Sequence, residues 1–332
     1  MTTLDTLGER FLIQRITARL STAPWVTVGP GDDAAVVAPV RGKHDVLTTD
    51  AIVDGVHFDR RFVPADAIGH RALAVNLSDL AAMGAEPRCA LLSLLLPDDI
   101  DLPEVDGIVD GVLALAHEHR VTIIGGNITR TPGPLTLDVT AIGSIHPRRI
   151  LRRSGARSGD AVYVTGTLGS AATGLRMLRS NDPNNPNDPN DCVSRYLRPS
   201  ARVRAGLLLG RNRAATSCMD LSDGLADGVR QIADASNVGI TLDASAIPLS
   251  DVMREWHARQ GGSAVDTALT GGDDYELIFT VRHAHRSRLR GVVNRLSGLA
   301  VTRIGVVTKS RDLLVAEGGR TRPLPQGYEH FR

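Results

Sequence analysis

The stretch ADAIGHRALAVNLSDLAAMGAEPRCALLSLLL, residues 65–96, reads as one helix followed by one strand. Ile68, Leu73, Leu77 and Leu80 keep helical spacing across Ala65–Met83, and Gly84 stands where a helix C-cap belongs. Cys89–Leu96 is then an apolar run of strand length, which predicts a buried strand. Working outward, Phe11–Leu20 reads as a short amphipathic helix, and Ala34–Val40 and Asp45–Thr49 as strands. Pro103–His119 is a second long helix, and Val121–Ile124 and Leu135–Ile142 are strands. The first half therefore mixes both element types. Ile150–Gly159, rich in Arg, Ser and Gly, reads as a crossing into a second α/β region. That region contains strands at Ala161–Thr165, Leu277–Val281 and Val301–Val307 and a helix through Leu225, Val229 and Ile232. The expected organisation is two domains, 1–149 and 150–332, which is also what 332 residues suggest. SNDPNNPNDPND, residues 180–191, has no apolar residue and reads as a surface loop.

Composition narrows the class. Hydrophobic residues make up 42% and charged residues 23%, ordinary for a soluble domain, and the net charge of +1 gives no reason to expect nucleic acid or membrane as a partner. Cys89, Cys192 and Cys218 form no CxxC pair, which argues against a disulfide framework or a zinc site and fits a reducing cytoplasm. The chain shows no signal peptide and no stretch near the ~20 apolar residues of a membrane span. Lysine occurs only at Lys43 and Lys309, so arginine supplies the other basic residues. That suits forked recognition of phosphate, and a GC-rich genome gives the same bias.

The acids are informative because the chain as a whole is nearly neutral. Asp32 and Asp33, Asp50 and Asp54, Asp79, Asp220 and Asp223, and Asp273 and Asp274 stand in short clusters beside apolar segments. Carboxylates gathered at strand ends repel one another unless cations join them. Oxygen-only ligands suit Mg²⁺, which is usually shared between one or two carboxylates and a substrate phosphate. Each cluster alone has a plain structural reading: Gly29–Asp33 as a turn, Thr48–Asp50 as a capped strand end, and Ser222 or Asp223 as a helix N-cap. Five together point to magnesium-dependent phosphoryl transfer. A Walker A loop, the protein-kinase signatures, a GxSxG elbow, a GxGxxG loop and HExxH are all absent, and His283 and His285 read as solvated among arginines.

Several ordered blocks carry a resemblance. Asp32 and Asp33 stand in GDDAAV (31–36), and Thr49-Asp50 is followed by GVHF (55–58). ALAVNLSDLAAMGA spans 72–85. IGGN (124–127), RSG (153–155), DLSDGL (220–225), GGDDYEL (271–277) and GYEHF (327–331) follow. The chain resembles the thiamine-monophosphate kinase family of the aminoimidazole-ribonucleotide synthetase-like superfamily, nearly end to end. The resemblance implies a two-domain α/β (α+β) fold, with an N-terminal sheet domain that dimerises, a C-terminal α/β domain, and ATP in the cleft between them. It implies transfer of the γ-phosphate of ATP to thiamine monophosphate in the cytoplasm. It also implies Mg²⁺ ligands at Asp33, Thr48, Thr49, Asp50, Asp79, Asn127, Asp220 and Asp223, with Asp50, Asp79 and Asp220 central to catalysis. His57, Asp273 and Tyr328 are implied to contact the substrate, and Gly125, Gly126, Arg153 and Ser222 to hold ATP. Two positions depart from the family pattern: Asn127 stands where the family has Asp, and Asp273 where it has Glu. The alternatives are another ATP-using enzyme of the superfamily, such as aminoimidazole-ribonucleotide synthetase, and a nucleotide-binding scaffold without turnover. The chain offers no cysteine near its start or end for the selenophosphate or hydrogenase-maturation branches.

Overall fold

A computed structural model describes residues 8–180 and 192–327; the Asn/Pro repeat and Tyr328 lie outside the described residues. The chain divides into two compact units. One runs to Leu80 and from Glu86 to Pro147, and the other takes Ala81–Ala85 and the chain from Arg148 onward.

In the first unit, α1 (Glu9–Thr17) precedes a two-stranded ribbon of β1 (Val26–Val28) and β2 (Val36–Val37). The expected strand 34–40 is reduced to Val36–Val37, because Pro39 and the turn at Gly42 follow it closely. β3 (His44–Val53), β4 (Glu86–Leu96), β5 (Thr122–Arg130) and β6 (Thr136–Ile145) form one sheet in the order β3-β6-β4-β5. The pairs β3–β6 and β6–β4 are antiparallel, and β4–β5 is parallel. Alternation along β6 buries Leu137, Val139 and Ala141 and leaves Asp138, Thr140 and Ile142 half-exposed, so the sheet has one core face and one open face. β3 is one edge of the sheet, and its Leu47 is 67% exposed.

The helices α2 (Ala65–Ala82) and α3 (Leu102–His119) supply the core. Along α2, Ile68, Leu73, Leu77 and Leu80 are fully buried, as their spacing predicts. The two helices meet backbone to backbone: a Cβ on Gly69 would overlap the carbonyl of Ile108, and one on Gly111 the carbonyl of Asp66. Asp101 caps α3 by accepting from the Glu104 N–H at 2.9 Å, with Pro103 in the first turn. Gly84, at φ 72°, ends the α2 segment as its position in the sequence predicts.

In the second unit, the strands are β7 (Ala161–Thr165), β8 (Ser217–Asp220), β9 (Gly239–Asp243), β10 (Leu277–Val281), β11 (Val301–Thr308), β12 (Leu313–Glu317) and β13 (Arg320–Pro323). They form a seven-stranded sheet in the order β13-β12-β9-β11-β7-β10-β8, antiparallel except for β9–β12. The helices are α4 (Ser170–Ser180), α5 (Cys192–Leu197), α6 (Val203–Asn212), α7 (Leu225–Ser236), α8 (Asp251–Gln260), α9 (Ala264–Thr270) and α10 (Arg286–Val293). Helix α7 covers the face that carries Ile278, and a Cβ on Gly228 would press on Leu221 and Ile278. The neighbouring residues Tyr163 and Phe279 point to the other face and stack with centroids 5.7 Å apart. His285, expected to be solvated, is half-buried, with no hydrogen-bond partner at Nδ1, because it opens α10 against the unit.

The deepest charge in this unit is Glu276, which has no solvent exposure. Arg202 donates to it through Nε at 2.6 Å and also through Nη2. Arg195 reaches it at 3.3 Å, and the Thr165 hydroxyl at 2.6 Å. The lock ties β10 to β7, α5 and α6. Removing one partner of a buried pair strands the other charge. Arg202→Ala is therefore expected to cost about 3–5 kcal/mol in urea unfolding; a loss below 1 kcal/mol would mean that Arg195 and Thr165 suffice.

Candidate active site

In the first unit, β3 presents alternate residues to opposite faces of its sheet, and this divides the candidate ligands into two groups. Thr48 and Asp50 share the face toward α2. There the Thr48 hydroxyl donates to Asp79 Oδ2, orienting the half-buried carboxylate near the end of that helix. Thr49 points the other way and donates to Asp138 Oδ1 at 3.0 Å, with the Thr140 hydroxyl 3.1 Å away. Asp138 belongs to none of the sequence motifs; in the β3–β6 ladder Thr49 faces Thr140 and Ala51 faces Asp138, so Asp138 reaches Thr49 diagonally.

The open face of the sheet leads to a cavity of about 710 Å³. Its walls include α1, the turn Gly29–Ala35, and β5 at Gly125, Gly126 and Asn127; Thr140 also lines it. Asp32 and Asp33 stand exposed at the turn, where the Asp33 N–H donates to Asp32 Oδ1 at 2.9 Å. Gly125 and Gly126 both have φ 158° and sit at an irregularity in the β4–β5 register, and a Cβ on Gly126 would overlap the backbone of Leu92. The backbone here lies close to its neighbour strand and leaves the cavity side bare. Beyond β3, His57 Nδ1 accepts from the Val53 N–H at 3.1 Å, so the neutral ring carries its proton on Nε2.

In the second unit, two loops zip together. The Asp273 N–H donates to Ser222 O at 2.7 Å, the Tyr275 N–H to Leu221 O at 3.0 Å, and the Leu221 N–H to Glu276 O at 2.9 Å. This brings Asp220, Ser222, Asp223 and Asp273 into one neighbourhood. The Ser222 hydroxyl donates to Asp223 Oδ2 at 2.8 Å, so neither residue caps α7; Gly224, at φ 94°, holds that position. Asp273 and Tyr275 both adopt positive φ, 70° and 49°, and the Tyr275 hydroxyl donates to Asp273 Oδ1 at 3.2 Å. Non-glycine residues held there are strained, a feature that concentrates at functional sites.

Arg153 donates to Gln231 Oε1 at 2.5 Å, and Gln231 donates to Asp227 Oδ2 at 2.5 Å. Partial burial raises the Asp227 carboxyl, and Asp223 one turn earlier adds to the rise. Asp227 could have been found in the sequence, since it follows Asp223 by four residues and falls in the first turn of the helix after it. Gly327 packs on this turn of α7, where its Cβ would stand 2.8 Å from that of Asp227. Asp274 is buried and accepts from the N–H groups of Gly169 at 2.5 Å and Ala171 at 3.3 Å, at the start of α4. Burial dominates over these bonds and pushes its pKa up to about 7.

Among the described residues, no three His, Cys, Asp or Glu side chains converge closely enough to cage a metal by themselves. The donors are all hard oxygens: carboxylates, hydroxyls and one amide. Such a set fits Mg²⁺, which keeps several waters and completes its octahedron on substrate phosphate.

Two consecutive family profiles match the chain: AIR synthase related protein, N-terminal domain, over residues 31–145, and the corresponding C-terminal domain over 157–316. The fold and the acid-lined loops are thus those of an AIR synthase-related protein. A thiamine-monophosphate kinase of Salmonella typhimurium is 38% identical over 328 residues, 98% of each chain. The crystal structure of thiamine-monophosphate kinase from Stenotrophomonas maltophilia superposes with a TM-score of 0.81 at 39% identity, covering 93% of this chain and 95% of that one. AaThiL complexed with AMPPCP and TMP gives 0.78 at 32% identity, covering 100% and 99%. The chain belongs to the thiamine-monophosphate kinase family.

The high Asp274 pKa has a signed consequence. A carboxyl that titrates near 7 when folded and near ~3.9 when unfolded makes the native state bind more protons. Its contribution to stability is full below about pH 4 and is lost as pH rises toward about 7. Asp274→Asn should therefore remove a pH dependence on the order of 4 kcal/mol from urea unfolding across that window. A wild-type-to-variant difference that is constant from pH 4 to 7 would show that Asp274 remains ionised.

Proposed function

We propose that the protein transfers the γ-phosphoryl group of ATP to the phosphate of thiamine monophosphate, giving thiamine diphosphate and ADP. The carrying observation is the full-length match to a relative solved with both AMPPCP and TMP. The acids and glycines described above give the transfer its chemistry.

The acceptor needs no strong base. A phosphate monoester has its second pKa near ~6, so the attacking oxygen is already largely anionic at neutral pH. What the protein must do is bring two polyanions together in line and neutralise them. Bound Mg²⁺ would supply that neutralising charge. In the first unit, Asp33, Thr48, Thr49, Asp50, Asp79 and Asn127 are its proposed holders; in the second, Asp220 and Asp223. Thr48 fixes the aim of Asp79, Thr49 lies beside Asp138, and Asn127 contributes a neutral oxygen at the cavity wall. Gly125 and Gly126 let phosphate approach the strand backbone, while Arg153, tethered by Gln231, and Ser222 are proposed to hold the nucleotide. His57 offers its Nε2 proton to the acceptor phosphate. Asp273, steadied by Tyr275, and Tyr328 are proposed to contact the thiamine portion. The shorter Asp273 reaches about one methylene less than a glutamate.

The unpaired edge of β3, with Leu47 exposed, supports a homodimer formed through this sheet. Cys89, Cys192 and Cys218 are buried and form no disulfide, which supports a reducing, cytoplasmic setting. No helix among the described residues is long and apolar enough to cross a membrane.

Incubation with ATP, Mg²⁺ and thiamine monophosphate should yield thiamine diphosphate and equimolar ADP by chromatography; ATP binding without product would defeat the reading. Chelation with EDTA should abolish turnover, and added Mg²⁺ should restore it. Asp50→Asn and Asp79→Asn should each lower kcat on the order of 10²–10³-fold while the circular dichroism spectrum stays that of the wild type. A chiral γ-phosphate should transfer with inversion; retention would require a phospho-enzyme instead.

A further inference from the structure

The chain's near-neutral charge conceals a strong segregation. No acid occurs from Leu277 to Arg311, a stretch with eight Arg and Lys residues, and none from Cys192 to Met219. The fold packs these two acid-free stretches together, because α6 lies against α10. Arg195 and Arg202 turn inward to Glu276 and Arg282 lies 3.9 Å from Asp160, but on the shared face arginines bond backbone carbonyls: Arg204 Nε donates to Arg295 O at 3.1 Å, and Arg288 Nη1 to Arg213 O at 3.2 Å. Arg286, Arg290 and Arg303 are exposed and have no carboxylate partner among the described residues.

Within this cationic face lies a pocket of about 360 Å³, between α10 and the sheet face opposite α7. Leu289, Val293, Val301 and the half-buried ring of Tyr163 form its apolar lining, with Arg286 and Arg290 alongside. Those two arginines stand four residues apart, so both guanidinium groups lie on one face of α10. Arg303 pairs with Tyr163 across the β7–β11 ladder and adds a third cation to that sheet face. An apolar slot with an aromatic wall, flanked by unpaired guanidinium forks, is complementary to a planar body bearing phosphate.

We propose that this pocket is a second ligand site, which takes a nucleoside phosphate with its base against Tyr163 and Val293 and its phosphates on Arg286 and Arg290. Neither arginine belongs to the residues assigned to phosphoryl transfer. The proposal rests on the kinase reading only for the choice of ADP as probe.

Equilibrium dialysis with ADP and Mg²⁺ tests it by comparing the wild type with two variants. Arg286→Ala/Arg290→Ala removes the forks, and Val293→Trp fills the slot while keeping the charge. Each variant is expected to bind one ADP per chain fewer than the wild type, with kcat and KM for ATP unchanged. A wild type that binds two ADP, falling to one, supports both sites; one falling to none supports this pocket and sinks the proposed catalytic nucleotide site. Equal ADP stoichiometry in wild type and variants overturns the pocket. Loss in the double arginine variant but not in Val293→Trp also overturns it, leaving only a diffuse anion-attracting surface. If a single-stranded oligonucleotide is retained at 150 mM salt where ADP is not, the face serves an extended polyanion and the small-ligand proposal fails.

Discussion

The ion pair between Glu276 and Arg202 is the contact on which the second unit's functional end depends. Glu276 lies on the strand-proximal side of the Gly271–Tyr275 loop, and its backbone carbonyl accepts from Leu221 in the Asp220–Gly224 loop. Its side chain is held from α5, α6 and β7 at once. A desolvated charge with several donors has one well-satisfied geometry, so the loops that carry Asp220, Asp223 and Asp273 inherit a fixed backbone. The positive φ of Asp273 and Tyr275 can be tolerated there because the surroundings over-determine it.

The same logic runs through both units at smaller scale. A chain that concentrates carboxylates must keep them apart or give each a donor. Thr48 serves Asp79, Thr49 serves Asp138, Ser222 serves Asp223, Tyr275 serves Asp273, and the first N–H groups around α4 serve Asp274. These donors are all neutral. They orient the acids without neutralising them, and negative charge is left for cations brought with a nucleotide. Asp274 is the exception: its burial is deep enough that a proton is held up to about pH 7.

Charge is segregated along the chain within an overall balance of +1. The candidate-site acids gather in loops and at strand ends, and in the second unit the arginines without carboxylate partners stand on α10, at Arg286 and Arg290, and on β11, at Arg303. Like charges on a solvent-exposed helix repel only weakly at physiological salt, so such a surface costs little stability when it is left open.

The periodic elements were legible in the chain itself. Ile68, Leu73, Leu77 and Leu80 specify α2, and the cysteine-to-leucine run specifies β4, because a single buried face imposes its repeat on the sequence. The acid clusters and glycine pairs were legible too, since turn chemistry and oxygen ligation are local properties. What the sequence could not convey was which residues meet across strands. Thr48 and Thr49 are adjacent in the chain yet serve opposite faces of a sheet. Asp138 has no distinguishing local pattern, and Asp227 and Tyr275, though they stand close to motif acids in the chain, gain their partners from packing. Glu276 reads as one acid among many until Arg195, Arg202 and Thr165 converge on it. Local spacing determined which elements form, because backbone geometry repeats every two or 3.6 residues. Pairing, burial and the placing of charges were decided only by the tertiary structure, because they depend on residues that come together from distant parts of the chain.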